Sequence, residues 1–185
     1  MSSGVHLMWI TARAAGISAL ALASLSVAVG LSMGFRRRRG PDLRTVHEAL
    51  SLATIAAIGL HGVALFLDPW LKPGASGVLV PFDITFKPVA IAAGIVAAYG
   101  FVVLGLSYYA RGRIGPKRWR RLHRWTALFW VLAVGHGLTA GTDSGEPWFL
   151  VSMGALIVPA VALLLAKLAG GQRERSSELP AASPG

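Results

Sequence analysis

The chain has 185 residues, about one domain's worth, yet 54% of them are hydrophobic and the mean hydropathy is +0.59, well above a soluble globular protein. It contains no cysteine, which excludes disulfides, thiolate metal sites and the thioether attachment of c-type haem. The net charge of +10 invites a nucleic-acid reading, but the placement of the basic residues speaks for membrane topology instead.

Five stretches are long and apolar enough to cross a hydrocarbon core of roughly 30 Å, each needing about 20 residues. They are 14–35, 45–67, 88–110, 119–140 and 148–169. The first begins after a lone Arg13 and is followed by the run Arg36, Arg37, Arg38 and Arg39. A secretory signal has its charges before the apolar core, so an uncleaved first helix is expected. His6, ahead of this span, has no partner at matching depth and reads as an ordinary exposed histidine.

The second span is predicted to open with a capping box from Thr45 to Glu48, and Asp68, Pro69 and Trp70 should end it. A Pro- and Gly-rich loop then leads to Pro88, which suits the first turn of the third span because its missing N–H costs nothing there. After Tyr108 and Tyr109, a basic loop with Gly112, Gly115 and Pro116 turns the chain into the fourth span, where Trp119 and Trp125 read as interfacial anchors. Residues 141–147 make a short turn. The fifth span contains Pro159, expected to kink it, and Lys167, whose stem can snorkel to the headgroups. Residues 171–185 read as a polar, disordered cytoplasmic tail behind a membrane domain at 1–170.

Fifteen Lys and Arg residues lie between spans one and two, around the turn from span three into span four, and from Lys167 near the end of span five onward, against three on the opposite side. Positive charge accumulates on the cytoplasmic side, so the amino terminus is predicted outside and the carboxyl terminus in the cytoplasm. The fold class that follows is an all-α integral membrane protein, a bundle of about five transmembrane helices in the plasma (inner) membrane. The lipid bilayer is its medium, and nucleic acid is not expected as a partner.

Four histidines fall inside these spans as two pairs, His47 with His61 and His123 with His136, 14 and 13 residues apart. An ionisable side chain inside a span costs about 2.5 kcal/mol or more, so it marks a site. In the predicted topology, His47 and His123 are near the cytoplasmic face, and His61 and His136 are nearer the outer face. Fourteen residues bring a helix to about 40° short of registration and raise the second ring by about 21 Å. Thirteen leave the rings of span four about 140° apart, so that span must rotate, tilt or unwind for both to face span two.

Imidazole is a common haem ligand, and two imidazoles per iron leave no open position, which suits electron transfer. Without cysteine, any haem must be held by coordination and packing alone, a restriction that a b-type haem fits. Gly59, Gly62, Gly135 and Gly137 flank the histidines, and either a macrocycle or tight helix packing uses such residues. Phe129 and Trp130 lie between the histidines of span four and could fill the gap between haems or serve as ordinary core. Arg44, Arg120, Arg121 and Arg124 are at the depth where propionates of an inner haem would emerge, Arg124 directly after His123.

The chain resembles the ferric reductase-like transmembrane domain family, which includes ferric reductases, the membrane part of NADPH oxidases and the haem subunit of the periplasmic methionine sulfoxide reductase system. The resemblance rests on His47, on His61-Gly62, on the stretch from Arg118 to Arg124, and on His136-Gly137 leading to Gly141-Thr142-Asp143, and covers about 9–168. It implies two b-type haems with axial ligands His47 and His123 (inner) and His61 and His136 (outer), and electron flow toward the outer face. It also implies an aromatic between the haems, with Phe129 the better positional match and Trp130 its neighbour. Many relatives have six spans, and the larger members carry flavin and nicotinamide domains not found in this sequence. The expectation is therefore the electron-transfer component of an oxidoreductase, supplied by a separate flavin reductase or a quinol and delivering to an outer-face acceptor. The competing readings are a membrane protein whose histidines bind a transported divalent metal, and a non-redox scaffold.

Overall fold

A computed structural model describes residues 4–35 and 41–177, with side chains described for 7–35 and 42–170. The arginines at 36–39, the side chain of His6 and residues 178–185 lie outside the described residues. Among the described residues every regular element is a helix: α1 Gly4–Phe35, α2 Pro41–Phe66, α3 Gly74–Leu79, α4 Pro88–Leu106, α5 Arg111–Ile114, α6 Pro116–His123, α7 Thr126–Ala140 and α8 Pro147–Ser177. Helices alone satisfy every backbone group within one apolar segment, which is what a bilayer interior demands.

Four helices are long and apolar enough to span: Leu7–Phe35, Asp42–Phe66, Pro88–Leu106 and Pro147–Gly170. The remaining predicted span, 119–140, is built differently. It is divided between α6 and α7, and the join is made by short-range turns in which Trp125 N–H donates to the Leu122 carbonyl and Ala127 N–H to that of Arg124. At about 1.5 Å per residue the 15-residue α7 is about 22 Å long, short of the hydrocarbon thickness by itself. The break lies between His123 and His136, so their 13-residue separation does not run along one regular helix.

α1 and α2 pack along each other, α7 lies on α4, and α1 also touches α7 and α8 while α2 touches α4. The core between them is small and apolar: Ala23, Ala97, Phe101, Trp130 and Ala160. A second cluster of Leu20, Phe149 and Met153 joins α1 to α8. Alanines on α1 and α4 let the helices approach closely, the usual means of association where water supplies no driving force.

Several local expectations meet the structure differently. α2 already runs from Pro41, so Thr45 lies within the helix and the predicted capping box is not its start; Glu48 instead accepts the Tyr109 phenol at 2.8 Å. Asp68 does end the helix, its Oδ1 accepting from the N–H groups of Trp70 and Leu71. Pro88 occupies the first turn of α4. Pro159 lies within α8, and that helix continues through Ser177, past the start of the predicted tail. Lys167 reaches α1: a Cβ on Gly34 would stand 3.5 Å from its Nζ.

Candidate functional site

The helix pairs bring the four histidines together as two cross-helix pairs. His47 of α2 faces His123 of α6 with ring centroids 6.0 Å apart and planes at 87°. His61 of α2 faces His136 of α7 at 6.5 Å and 73°. Each pair therefore joins the α1–α2 half of the bundle to the α4–α7 half.

Three of the rings are anchored through Nδ1. His61 meets the Ala12 carbonyl at 2.7 Å, and His136 meets that of Ala90 at 2.9 Å. His47 meets the Ser26 carbonyl at 2.9 Å and the Ser26 hydroxyl at 3.1 Å, while Ser51 links that hydroxyl to the His47 carbonyl. A carbonyl only accepts, so Nδ1 carries the proton in each and Nε2 is the nitrogen left with a lone pair. His123 differs: its Nδ1 is buried without a hydrogen bond of full geometry, and the ring instead stacks on Trp119 at 4.9 Å and 20°. Trp119 is itself tied to Ser107 through its indole N–H.

Space beside the rings is set by glycines. A Cβ on Gly94 would stand 2.5 Å from His136 Nδ1, and one on Gly16 or Gly30 would stand 3.0 Å from His61 or His47. Of the glycines next to the histidines in sequence, Gly59 and Gly135 border open space, Gly137 meets Leu20, and Gly62 lies under Val78 of α3. A cavity beside His47 and His123 is lined also by Ser51, Thr54, Phe101 and Thr126, and the Thr126 hydroxyl is buried there without a partner.

The aromatic residues divide. Trp130 is 1% exposed, packs with Ala23 and Phe101, and donates its indole N–H to Ser24 at 3.1 Å; it does not line the cavity. Phe129 is half-buried with its ring over Gly100, where a Cβ would come within 2.1 Å. Phe101 of α4, not singled out from the sequence, is the aromatic at the cavity. Arg44, Arg120, Arg121 and Arg124 are exposed, Arg124 at the junction of α6 and α7.

The residues present fit a haem. An imidazole nitrogen sits about 2 Å from a bound first-row metal, and its ring centroid lies about 1.2 Å further back, so two rings across one iron have centroids about 6.3 Å apart. Both observed separations lie within a few tenths of an ångström of that. Among the described residues no group of three or more His, Asp or Glu gathers as a metal cage.

With this geometry in place, comparison with known families is informative. The family described as ferric reductase like transmembrane component matches residues 15–134, a stretch holding His47, His61 and His123 and ending two residues before His136. The chain belongs to that family, which together with four apolar helices makes it an integral, multi-pass membrane protein and suggests membrane electron transfer. No curated protein and no solved structure matches it.

Proposed function

We propose that this protein is the membrane electron-transfer component of a ferric reductase-like oxidoreductase, holding two b-type haems. His47 and His123 would ligate the inner one and His61 and His136 the outer one. Bound there, the haems would supply one-electron chemistry at two depths about 21 Å apart along α2. The observation that carries this reading is the pair of cross-helix histidine separations, 6.0 and 6.5 Å, on helices of the matched family.

The protein's own residues then have defined tasks. His47, His61 and His136 present Nε2 because their Nδ1 protons are committed to carbonyls. Phe101 and Trp130 fill the bundle with apolar bulk at the level of Ala23, which lies midway along α1 between Gly16 and Gly30. The exposed Arg44, Arg120, Arg121 and Arg124 stand at the His47–His123 end, where propionates can pair with guanidinium groups. Phe129, half-buried over Gly100, is the proposed aromatic between the haems, next to Trp130.

The basic residues at the His47–His123 end support a cytoplasmic position for it in a plasma (inner) membrane protein, with the amino terminus outside and the segment 119–140 crossing as α6 plus α7. The haem-binding domain then covers 1–170. A separate flavin reductase or a quinol supplies electrons, and the acceptor docks at the outer face.

A reduced-minus-oxidised spectrum of the purified chain, with a haem-to-protein ratio, tests this directly. Two haems per chain are expected, with His61→Ala or His136→Ala removing one and His47→Ala or His123→Ala removing the other. Absence of haem under adequate supply, or loss of one and the same haem by variants from both pairs, refutes the assignment; a stoichiometric divalent metal in its place would support the transport reading instead.

A further inference from the structure

Three of the four histidines are held by one repeated device. The carbonyls that accept from His61, His47 and His136 belong to Ala12, Ser26 and Ala90, and four residues beyond each stands a glycine: Gly16, Gly30 and Gly94. These are the same three glycines whose Cβ would crowd those same three rings, at 3.0 Å for Gly16 and Gly30, and would clash outright at 2.5 Å for Gly94. In an α-helix each Cβ leans toward the amino terminus, so the side chain at one position overhangs the carbonyl four residues earlier. That carbonyl already accepts the backbone N–H above it, and its second lone pair is open to an outside donor only where the overhang is missing. Gly16 and Gly30 are 14 residues apart on α1, as His61 and His47 are on the antiparallel α2. Gly94 plays the same part on α4 for α7. His123 has no such glycine: its Nδ1 lies near the Leu104 carbonyl in the last turn of α4, which already accepts the Ser107 hydroxyl, and makes no hydrogen bond of full geometry there, while its ring stacks on Trp119.

We propose that Gly16, Gly30 and Gly94 are positioning residues that each open one helix carbonyl, so that His61, His47 and His136 are locked as Nδ1–H tautomers with Nε2 as the sole basic nitrogen, while His123 is held by no such notch. The consequence for a metal rests on the haem reading; the tautomer lock does not. One histidine pair then has both imidazoles strengthened as donors by their hydrogen bonds, and the other has only one. A side chain at a notch displaces the ring and breaks the lock at that position alone.

The test is nitrogen NMR of the full chain in lipid nanodiscs, labelled at histidine nitrogen and prepared without haem. Three rings, His61, His47 and His136, should report a fixed Nδ1–H tautomer, each dependent on its own notch glycine, and His123 should be indifferent to all three glycines. Gly94→Ala should release His136, Gly16→Ala His61, and Gly30→Ala His47, one ring each. Gly59→Ala, whose Cβ would meet nothing within 4 Å, should release none. Should Gly94→Ala fail to fold, the looser Gly16 and Gly30 sites decide the question. Unlocked rings in the unaltered protein, or locks that survive the alanines, overturn the proposal. In haem-loaded protein, Gly16→Ala and Gly94→Ala should raise the midpoint potential of one and the same haem, and Gly30→Ala that of the other. A chain that takes up no haem sinks the electron-transfer reading while leaving the NMR result to judge the notches.

Discussion

Arg13 of α1 grips Asp143 in the turn between α7 and α8 with two parallel contacts, Nε to Oδ2 and a terminal nitrogen to Oδ1. Asp143 is 5% exposed, and Arg13 also lies over the Trp9 ring at 5.1 Å. The pair ties α1, one residue from the Ala12 carbonyl that holds His61, to the end of the helix that carries His136.

Removing one partner of a buried pair strands the other charge, at about 3–5 kcal/mol when both are fully buried. The Arg13 side chain is 36% exposed, so the expected cost of Asp143→Ala is smaller, about 1–3 kcal/mol. Thermal unfolding in a fixed detergent measures it. Arg13→Lys should recover only part of the loss, because an ammonium cannot reproduce the two-pronged geometry. Equal stability of Asp143→Ala and the parent would show that the contact contributes nothing.

Trp130 joins α7 to α1 through bulk and one hydrogen bond, and its two substitutions separate these. Trp130→Phe loses the bond to Ser24, whose hydroxyl still donates to the Leu20 carbonyl, so about 1 kcal/mol is expected. Trp130→Ala opens the core against Ala23, Ala97 and Phe101 and should cost about 3–5 kcal/mol. A phenylalanine variant as damaged as the alanine one would mean that the hydrogen bond, not the packing, dominates.

Gly100 gives room to Phe129. Gly100→Ala places a methyl within 2.1 Å of the ring, and the displaced ring should cost about 1–3 kcal/mol as overpacking. Combining Gly100→Ala with Phe129→Leu should restore part of that loss, so the two changes are expected to be non-additive by about 0.5 kcal/mol or more. Strict additivity in a melting series would contradict the contact.

The ligand candidates were legible because ionisable residues inside apolar helices are rare and costly, so four histidines at paired depths stood out against everything around them. Their cross-pairing followed once arginine placement aligned α2 with the segment 119–140. The join at Arg124 and Trp125 was not legible: the residues from Trp125 to Ala140 continue one apolar pattern, and only the awkward 13-residue spacing hinted that the helix must yield. Phe101 was not legible because a linear reading looks for an aromatic between two histidines, whereas the cavity draws also on the neighbouring helix α4. The notches carried a signal that was overlooked, the 14-residue spacing of Gly16 and Gly30 matching that of the histidines. Its meaning depends on the antiparallel register of α1 against α2, which sequence alone does not supply.

Tyr109, just beyond the end of α4, donates its phenol to Glu48 of α2, clasping the two helices at the basic end of the bundle. The carboxylate favours the neutral phenol both as acceptor and as a like charge to phenolate, so Tyr109 is raised above its ordinary pKa of 10.0, with nearby Arg111 acting weakly in the opposite direction. A raised folded-state value means that the contact is fully present below the ordinary value and is lost as pH climbs through the higher one. In tyrosinate absorbance titrations, the transition missing from Tyr109→Phe should therefore lie above the ordinary value, and Glu48→Gln should move it downward. A Tyr109 transition at or below the ordinary value, or one indifferent to Glu48→Gln, would show that the clasp is absent in solution.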